Sequence, residues 1–118
     1  MTINPKTITF NSPDHDALYP NSDPVVTHYE VGIFSPTTAS PHSGDVPLAS
    51  GNYLKSYVTG SGPYTLNIEN ILIGVPNQTE GRVFIRATNP AVNGVWPDSG
   101  PTFRKITPPV APTDIVLG

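Results

Sequence analysis

An antiparallel all-β sandwich of about seven strands is the fold this sequence predicts, and three observations predict it. The first is the stretch Glu80-Gly81-Arg82-Val83-Phe84-Ile85-Arg86-Ala87-Thr88-Asn89, where Val83, Ile85 and Ala87 point one way and Arg82, Phe84, Arg86 and Thr88 the other. That period-2 alternation marks a half-buried strand, opened here by Gly and closed by Asn-Pro. The second is punctuation. The 10 Gly and 15 Pro fall between alternating segments, where they read as turns and not as low complexity. The third is that no window of about twelve residues escapes Pro, Gly or β-branched clusters, which leaves a helix nowhere to form.

The remaining elements are placed relative to that central strand. Residues 6–12 make the first strand, with Ile8 and Phe10 on one face and Thr7 and Thr9 on the other. A polar connection over 13–24 follows, with Leu18 and Tyr19 as its expected inward anchors. The second strand is 25–34, carrying Val25, Thr27, Tyr29, Val31 and Ile33 on one face and His28, Glu30 and Gly32 on the other. Residues 35–52 are rich in Ser, Thr, Pro and Gly, with Val46 and Leu48 the only sizeable apolar residues, and a loop of that length is a candidate for function or mobility. Residues 53–59 are expected as the third strand, reversed by Gly60-Ser61-Gly62-Pro63 into a fourth at 64–71. Residues 71–76 form an apolar corner into the central strand, and 102–107 complete the sheet after a loop at 90–101 that holds the lone Trp.

At 118 residues the chain suits one domain with a single core. A net charge of −3 and six scattered basic residues supply no stripe to neutralise phosphates, so nucleic acid is an unsuitable partner. There is no cysteine, hence no disulfide frame and no thiolate chemistry. The first six residues lack the apolar segment of a secretory signal, and no apolar run reaches membrane-spanning length. A soluble product with no signal peptide and no membrane partner is the expectation.

Catalytic and metal chemistry find little support. Asp14-His15-Asp16, with Asp23 further along, is the only dense ligand-like cluster, and Asp14 and Asp16 are weak candidates for a hard cation that wants six to eight oxygens. The simpler reading is a solvated turn capped by Asp14. His15, His28 and His42 have no zinc spacing. No Gly-x-Ser-x-Gly elbow occurs, and Glu30 and Glu69 fall on outward strand faces as solubilising charges. Asn77-Gln78-Thr79 matches a glycosylation sequon in an exposed turn and reads more simply as turn chemistry. No catalytic residue, cofactor or metal is therefore assigned. Trp96 is the more informative residue: with Val95 it lies in a loop where it either anchors a partner or folds over the sandwich end. Tyr53 and Tyr57 share one face of the expected third strand, and with Tyr64 they make a candidate aromatic strip for stacking on carbohydrate.

The order of these segments resembles a fibronectin type III domain, an immunoglobulin-like sandwich. Residues 73–89, Ile-Gly-Val-Pro-Asn-Gln-Thr followed by the central strand, look like that family's E–F corner and F strand. His28-Tyr29-Glu30-Val31-Gly32 looks like its C strand, and Phe10 stands where the family usually buries a Trp. The resemblance covers roughly residues 6–107. This sequence departs from the pattern in three ways. The family's corner Tyr would fall at Gly81, removing the hydrogen bond that pins that corner. The C–C′ loop, 35–52, is long. Only five residues precede the first strand, hardly enough for an A strand, yet Pro109-Val110-Ala111-Pro112-Thr113-Asp114-Ile115-Val116-Leu117 looks like the opening of one.

The expected organisation is a sandwich over 1–107 and a Pro-rich, A-strand-like tail or linker over 108–118. The tail is a linker to a next domain, a strand folded back onto its own sandwich, or a strand donated to a neighbouring copy. The expected function is non-catalytic: a structural subunit or decoration protein of a larger assembly such as a bacteriophage virion, joined to copies of itself or to a capsid or tail protein. The alternative is a spacer or carbohydrate-binding module of a secreted adhesin or glycan-active enzyme. Either places it on a virion or an extracellular surface. Contacts are expected through loop 35–52, through Trp96, Val95, Tyr53 and Tyr57, and through Val110, Ile115 and Leu117 of the tail.

Overall fold

The computed structural model describes residues 1–118, which form eight strands in two sheets. The strands are β1 (Thr2–Ile3), β2 (Thr7–Phe10), β3 (His28–Phe34), β4 (Ala49–Leu54), β5 (Thr59–Gly60), β6 (Tyr64–Asn67), β7 (Thr79–Thr88) and β8 (Thr102–Lys105). A single helical turn, α1 (Glu69–Leu72), separates β6 from β7. One sheet has the order β1-β8-β7-β3-β4 and the other β2-β6-β5. Neighbours are antiparallel, apart from β1, which runs parallel to β8.

Side chains alternate across a strand, so every second residue of β3 and β7 faces the other sheet. Tyr29, Val31 and Ile33 are buried, and the register sets Val31 opposite Ile85 and Ile33 opposite Val83. Leu66 of β6 and Phe103 of β8 join them in one core, with Ile8 and Phe10 of β2 packed against it. A Cβ at Gly81 would stand 2.9 Å from both Ile33 Cγ2 and Phe103 Cε1, so β7 fits here only without a side chain. The opposite face of β7 is covered as well. Phe84 points outward as the alternation requires, yet it is buried beneath Phe34, which meets it edge-on at 5.8 Å between centroids.

Five expectations need correction. The third strand is Ala49–Leu54, not 53–59; a 3₁₀ turn occupies Lys55–Tyr57 instead. Ala49, Ser50, Gly51 and Asn52 carry little apolar surface, but pairing with β3 satisfies their backbone, and the small residues leave room for Ile71 above Gly51. The fourth strand stops at Asn67, whose side-chain oxygen accepts the Glu69 amide at 2.9 Å and turns the chain into α1. Leu18 and Tyr19 are exposed and do not anchor the 13–24 connection; His15 does. Finally, the five leading residues suffice for a strand, because β1 pairs Thr2 with Phe103 and Ile3 with Arg104. The second strand also begins later than expected, at His28.

Each end of the core has its own closure. At one end Ile68, Ile71, Leu72 and Val75 cap it from α1 and the corner beyond. The Lys105 ammonium donates to the carbonyls of Leu72 at 2.7 Å and Val75 at 2.6 Å. That cation ties the corner to β8. At the other end His15 stacks on Tyr64 at 4.2 Å, while Phe10 lies 5.2 Å from Tyr29 between ring centroids. The Tyr29 hydroxyl donates to Ser12 Oγ at 2.7 Å, so the His15 Nδ1 at 2.7 Å from it is the donor of that pair. Burial pushes the Tyr29 hydroxyl above its ordinary value, and the opposing influence of the Ser12 hydroxyl is smaller.

Two outcomes are expected. Lys105→Met leaves the corner carbonyls without their cation and should lower unfolding free energy in urea by about 1.5–3 kcal/mol. Because the folded-state value of Tyr29 lies above that of the unfolded chain, its contribution is complete below about pH 10 and is lost as pH rises through the folded value. Tyr53, raised by burial as well, adds to the same alkaline loss. The urea midpoint followed from pH 8 to 12 should fall above about pH 10, less steeply in Tyr29→Phe.

Candidate functional site

Trp96 lies on the outer face of the larger sheet, not over an end of the sandwich. Three elements converge there: β3 supplies Glu30 and Phe34, β7 supplies Arg86, and the 90–101 loop supplies the indole. The register sets Glu30 directly opposite Arg86, and Arg86 Nε and Nη2 donate to Glu30 Oε1 at 2.7 and 2.6 Å. Glu30 is thus half-buried and paired, not a solubilising charge. The Arg86 guanidinium carbon then sits 4.4 Å from the centre of the Trp96 ring, and Phe34 meets that ring edge-on at 5.8 Å. Half-buried Trp96 is a wall of the larger sheet, while its neighbour Val95 is exposed.

The loop is held in place by hydrogen bonds to its own backbone amides. Asn89 Oδ1 accepts the amides of Ala91 and Val92 at 2.9 and 3.0 Å, and the Gly94 amide donates to the Ala87 carbonyl at 2.8 Å. Across from it the 35–48 loop leans in, with Ser40 Oγ donating to the Pro97 carbonyl at 2.9 Å. Between the two loops opens a cavity of about 360 Å³ bordered by Trp96, Arg86, Glu30, His42 and Asp45. Its lining mixes polar and apolar surface, with donors and acceptors side by side.

The other sequence-predicted residues lie apart from this face. Tyr53 and Tyr57 meet edge-on at 6.4 Å near the β4 edge, but Tyr57 belongs to the 3₁₀ turn and not to the strand. Tyr64 is buried against His15 in the other sheet, so the three tyrosines form no continuous strip. Asp14 and Asp16 lie in the turn after β2; Asp16 stands 3.8 Å from the Lys55 ammonium, and Asp23 is taken up by Asn21. No group of three or more His, Asp or Glu side chains converges anywhere.

Two features stand out by exposure. Val110, Ile115 and Leu117 are 90, 82 and 94% exposed, and residues 108–118 form no strand. The chain extends 76 Å along its longest axis against 29 and 22 Å across, and the tail has not folded back onto its own sheet. The second feature is the flank of β2. In the smaller sheet β2 has β6 on one side and nothing on the other. Sequence reasoning did not single out this edge or Lys105. The alternation of Ile8 and Phe10 with Thr7 and Thr9 marked the strand but not its open side, which sheet order decides. Lys105 had no readable signal.

Comparison with models of protein families, with characterised proteins and with solved structures found no match.

Trp96→Ala removes the edge contact with Phe34 and the guanidinium stacking together, and is expected to cost about 2 kcal/mol of folding free energy in urea. Val95→Ala, on an exposed side chain next to it, should stay within about 0.5 kcal/mol of the parent.

Proposed function

We propose that this chain is a non-catalytic structural module, a subunit or decoration protein of a larger assembly such as a bacteriophage virion. We further propose that its sandwich is of the fibronectin type III kind. The strand partition supports that type: β2 and β6 share one sheet, and β8, β7, β3 and β4 share the other, as B–E and G–F–C–C′ do in that family. The short β1 alongside β8 is a departure from it.

One observation carries the functional reading. An acidic, well-packed sandwich projects an apolar tail whose Val110, Ile115 and Leu117 make no use of the domain's own core. Exposed apolar segments of this kind are the mark of a contact with something else. The partners that fit are copies of this chain or a capsid or tail protein, on a virion or an extracellular surface. A second reading draws on the same tail: its Pro109-Val110-Ala111-Pro112 spacing suits a linker into a further domain, as in a secreted adhesin or glycan-active enzyme.

The test is incorporation. Co-expressed with the products of neighbouring genes, the full chain should enter a large particle, while a version ending at Thr107 should stay out and unfold at an unchanged temperature. Full incorporation of the shortened chain would sink the tail as the point of attachment.

A further inference from the structure

Resting on the reading of the tail as an attachment segment, we infer that its receiver is the open flank of β2 on a second copy of this chain. There residues 113–117 add as a fourth strand to the smaller sheet.

The receiving edge follows from the ladder. The Lys6 carbonyl accepts the Ile68 amide at 2.9 Å, and the register continues Thr7 to Asn67, Ile8 to Leu66, Thr9 to Thr65 and Phe10 to Tyr64. In an antiparallel pair, hydrogen-bonded and non-hydrogen-bonded positions alternate. Lys6, Ile8 and Phe10 therefore direct their backbone groups toward β6. Thr7 and Thr9 direct theirs away from it, where the sheet has no further strand. Four backbone groups, two donors and two acceptors, stand ready for a partner chain.

The same flank is open to apolar side chains. Ile8 and Phe10 are only half-buried at the rim of the core. Between them and β7 lies a cavity of about 270 Å³, lined also by Val83, Ile85 and Pro101. A strand laid beside β2 places every second residue over this seam.

The tail has the matching pattern. Pro108, Pro109 and Pro112 come first, and from Thr113 to Leu117 every residue has an amide hydrogen to give. Alternation puts Ile115 and Leu117 on one side, Asp114 and Val116 on the other. Only one of the two faces can enter the seam, because the other would bury the Asp114 carboxylate without a cation. Asp114 has a φ of 55° in the free tail, and pairing through it moves that residue into the extended region.

The geometry favours a second copy over the tail's own body. The chain departs at Ile106, whose amide donates to Asn4 Oδ1 at 2.8 Å and whose carbonyl accepts from Asn4 Nδ2 at 2.9 Å. Asn4 and Pro108 border one groove with Lys6, where β2 begins. To pair with its own β2 the tail would have to reverse at once, within a segment whose prolines hold it extended. Instead it projects. The radius of gyration is 17.6 Å, above the ~13–14 Å of a compact domain of this length. Each copy then offers one tail and one flank, a heterologous contact that propagates into rings or filaments and suits a subunit of an assembly.

The experiment uses light scattering on the full chain, with a peptide of residues 109–118 titrated onto a version ending at Thr107. Expected results are a concentration-dependent mass above the monomer for the full chain, and monomers for the shortened chain and for Leu117→Asp. The peptide should bind the shortened chain with a Kd on the order of micromolar, as small interfaces do. Thr9→Pro removes an outward amide and leaves the β6 ladder intact, so it should keep the fold and weaken peptide binding at least about tenfold. Undiminished binding to a folded Thr9→Pro would overturn the β2 flank as receiver while leaving a tail-borne assembly standing. A monomeric full chain, with peptide binding only to the shortened version, would assign the flank to the molecule's own tail and overturn the second copy. A monomer with no peptide binding at all would overturn the inference, and particle incorporation would then decide the functional reading by itself.

Discussion

Seven consecutive residue pairs hold β3 against β7, from His28 opposite Thr88 to Phe34 opposite Arg82, and the rest of the molecule depends on that register. One face of the pair presents Val31, Ile33 and Val83 to the core. The other sets Glu30 against Arg86 and Phe34 over Phe84. A slip of one residue would exchange the two sets and bury the ion pair among aliphatic side chains, at a desolvation cost that the pairing would not offset. Both faces are thus specified, and so is everything that packs on them. Trp96 rests on Arg86 and Phe34 because the register puts those side chains together.

The two closures of the core show how a short domain satisfies polar groups at its ends. At the corner, the Gly74 and Val75 amides turn back onto the Ile71 and Leu72 carbonyls, and Lys105 reaches in from β8 to donate to Leu72 and Val75 as well. At the far end the aromatic group of Phe10, Tyr29 and Tyr64 buries a hydroxyl, which His15 and Ser12 satisfy between them. Both devices join residues far apart in the chain, and each ties a loop to the sandwich with a polar contact placed at the edge of an apolar core.

The β2 flank and the tail are open features of complementary kind. A sheet edge with outward backbone groups and half-covered aliphatic side chains is an aggregation hazard unless something lies on it. An apolar segment with free amides has the converse need. Their presence in one chain gives a physical basis for the proposed self-association, in which the contact that builds the assembly would also protect the edge.

Alternation and punctuation were enough, from the residues alone, to set the all-β class, the central strand, the facing of Val83 and Ile85, and the first strand's apolar pair Ile8 and Phe10. These are local properties, dictated by a side-chain period of two and by where Gly and Pro interrupt it. The prolines of 108–118 also stand apart from the body's alternation in the sequence itself. What pairing supplies was not legible. Ala49-Ser50-Gly51-Asn52 has no strand signal of its own and is a strand only because β3 offers its edge. His15 read as a turn residue beside two carboxylates and became a core residue because Tyr64 lies beneath it. Trp96 read as a loop residue near the sandwich end, and the position of Arg86 set it on the sheet's outer face. The vacant side of β2 depended on sheet order. In each case the deciding energy is a contact between residues distant along the chain, which a local pattern does not encode and only the folded arrangement brings into being.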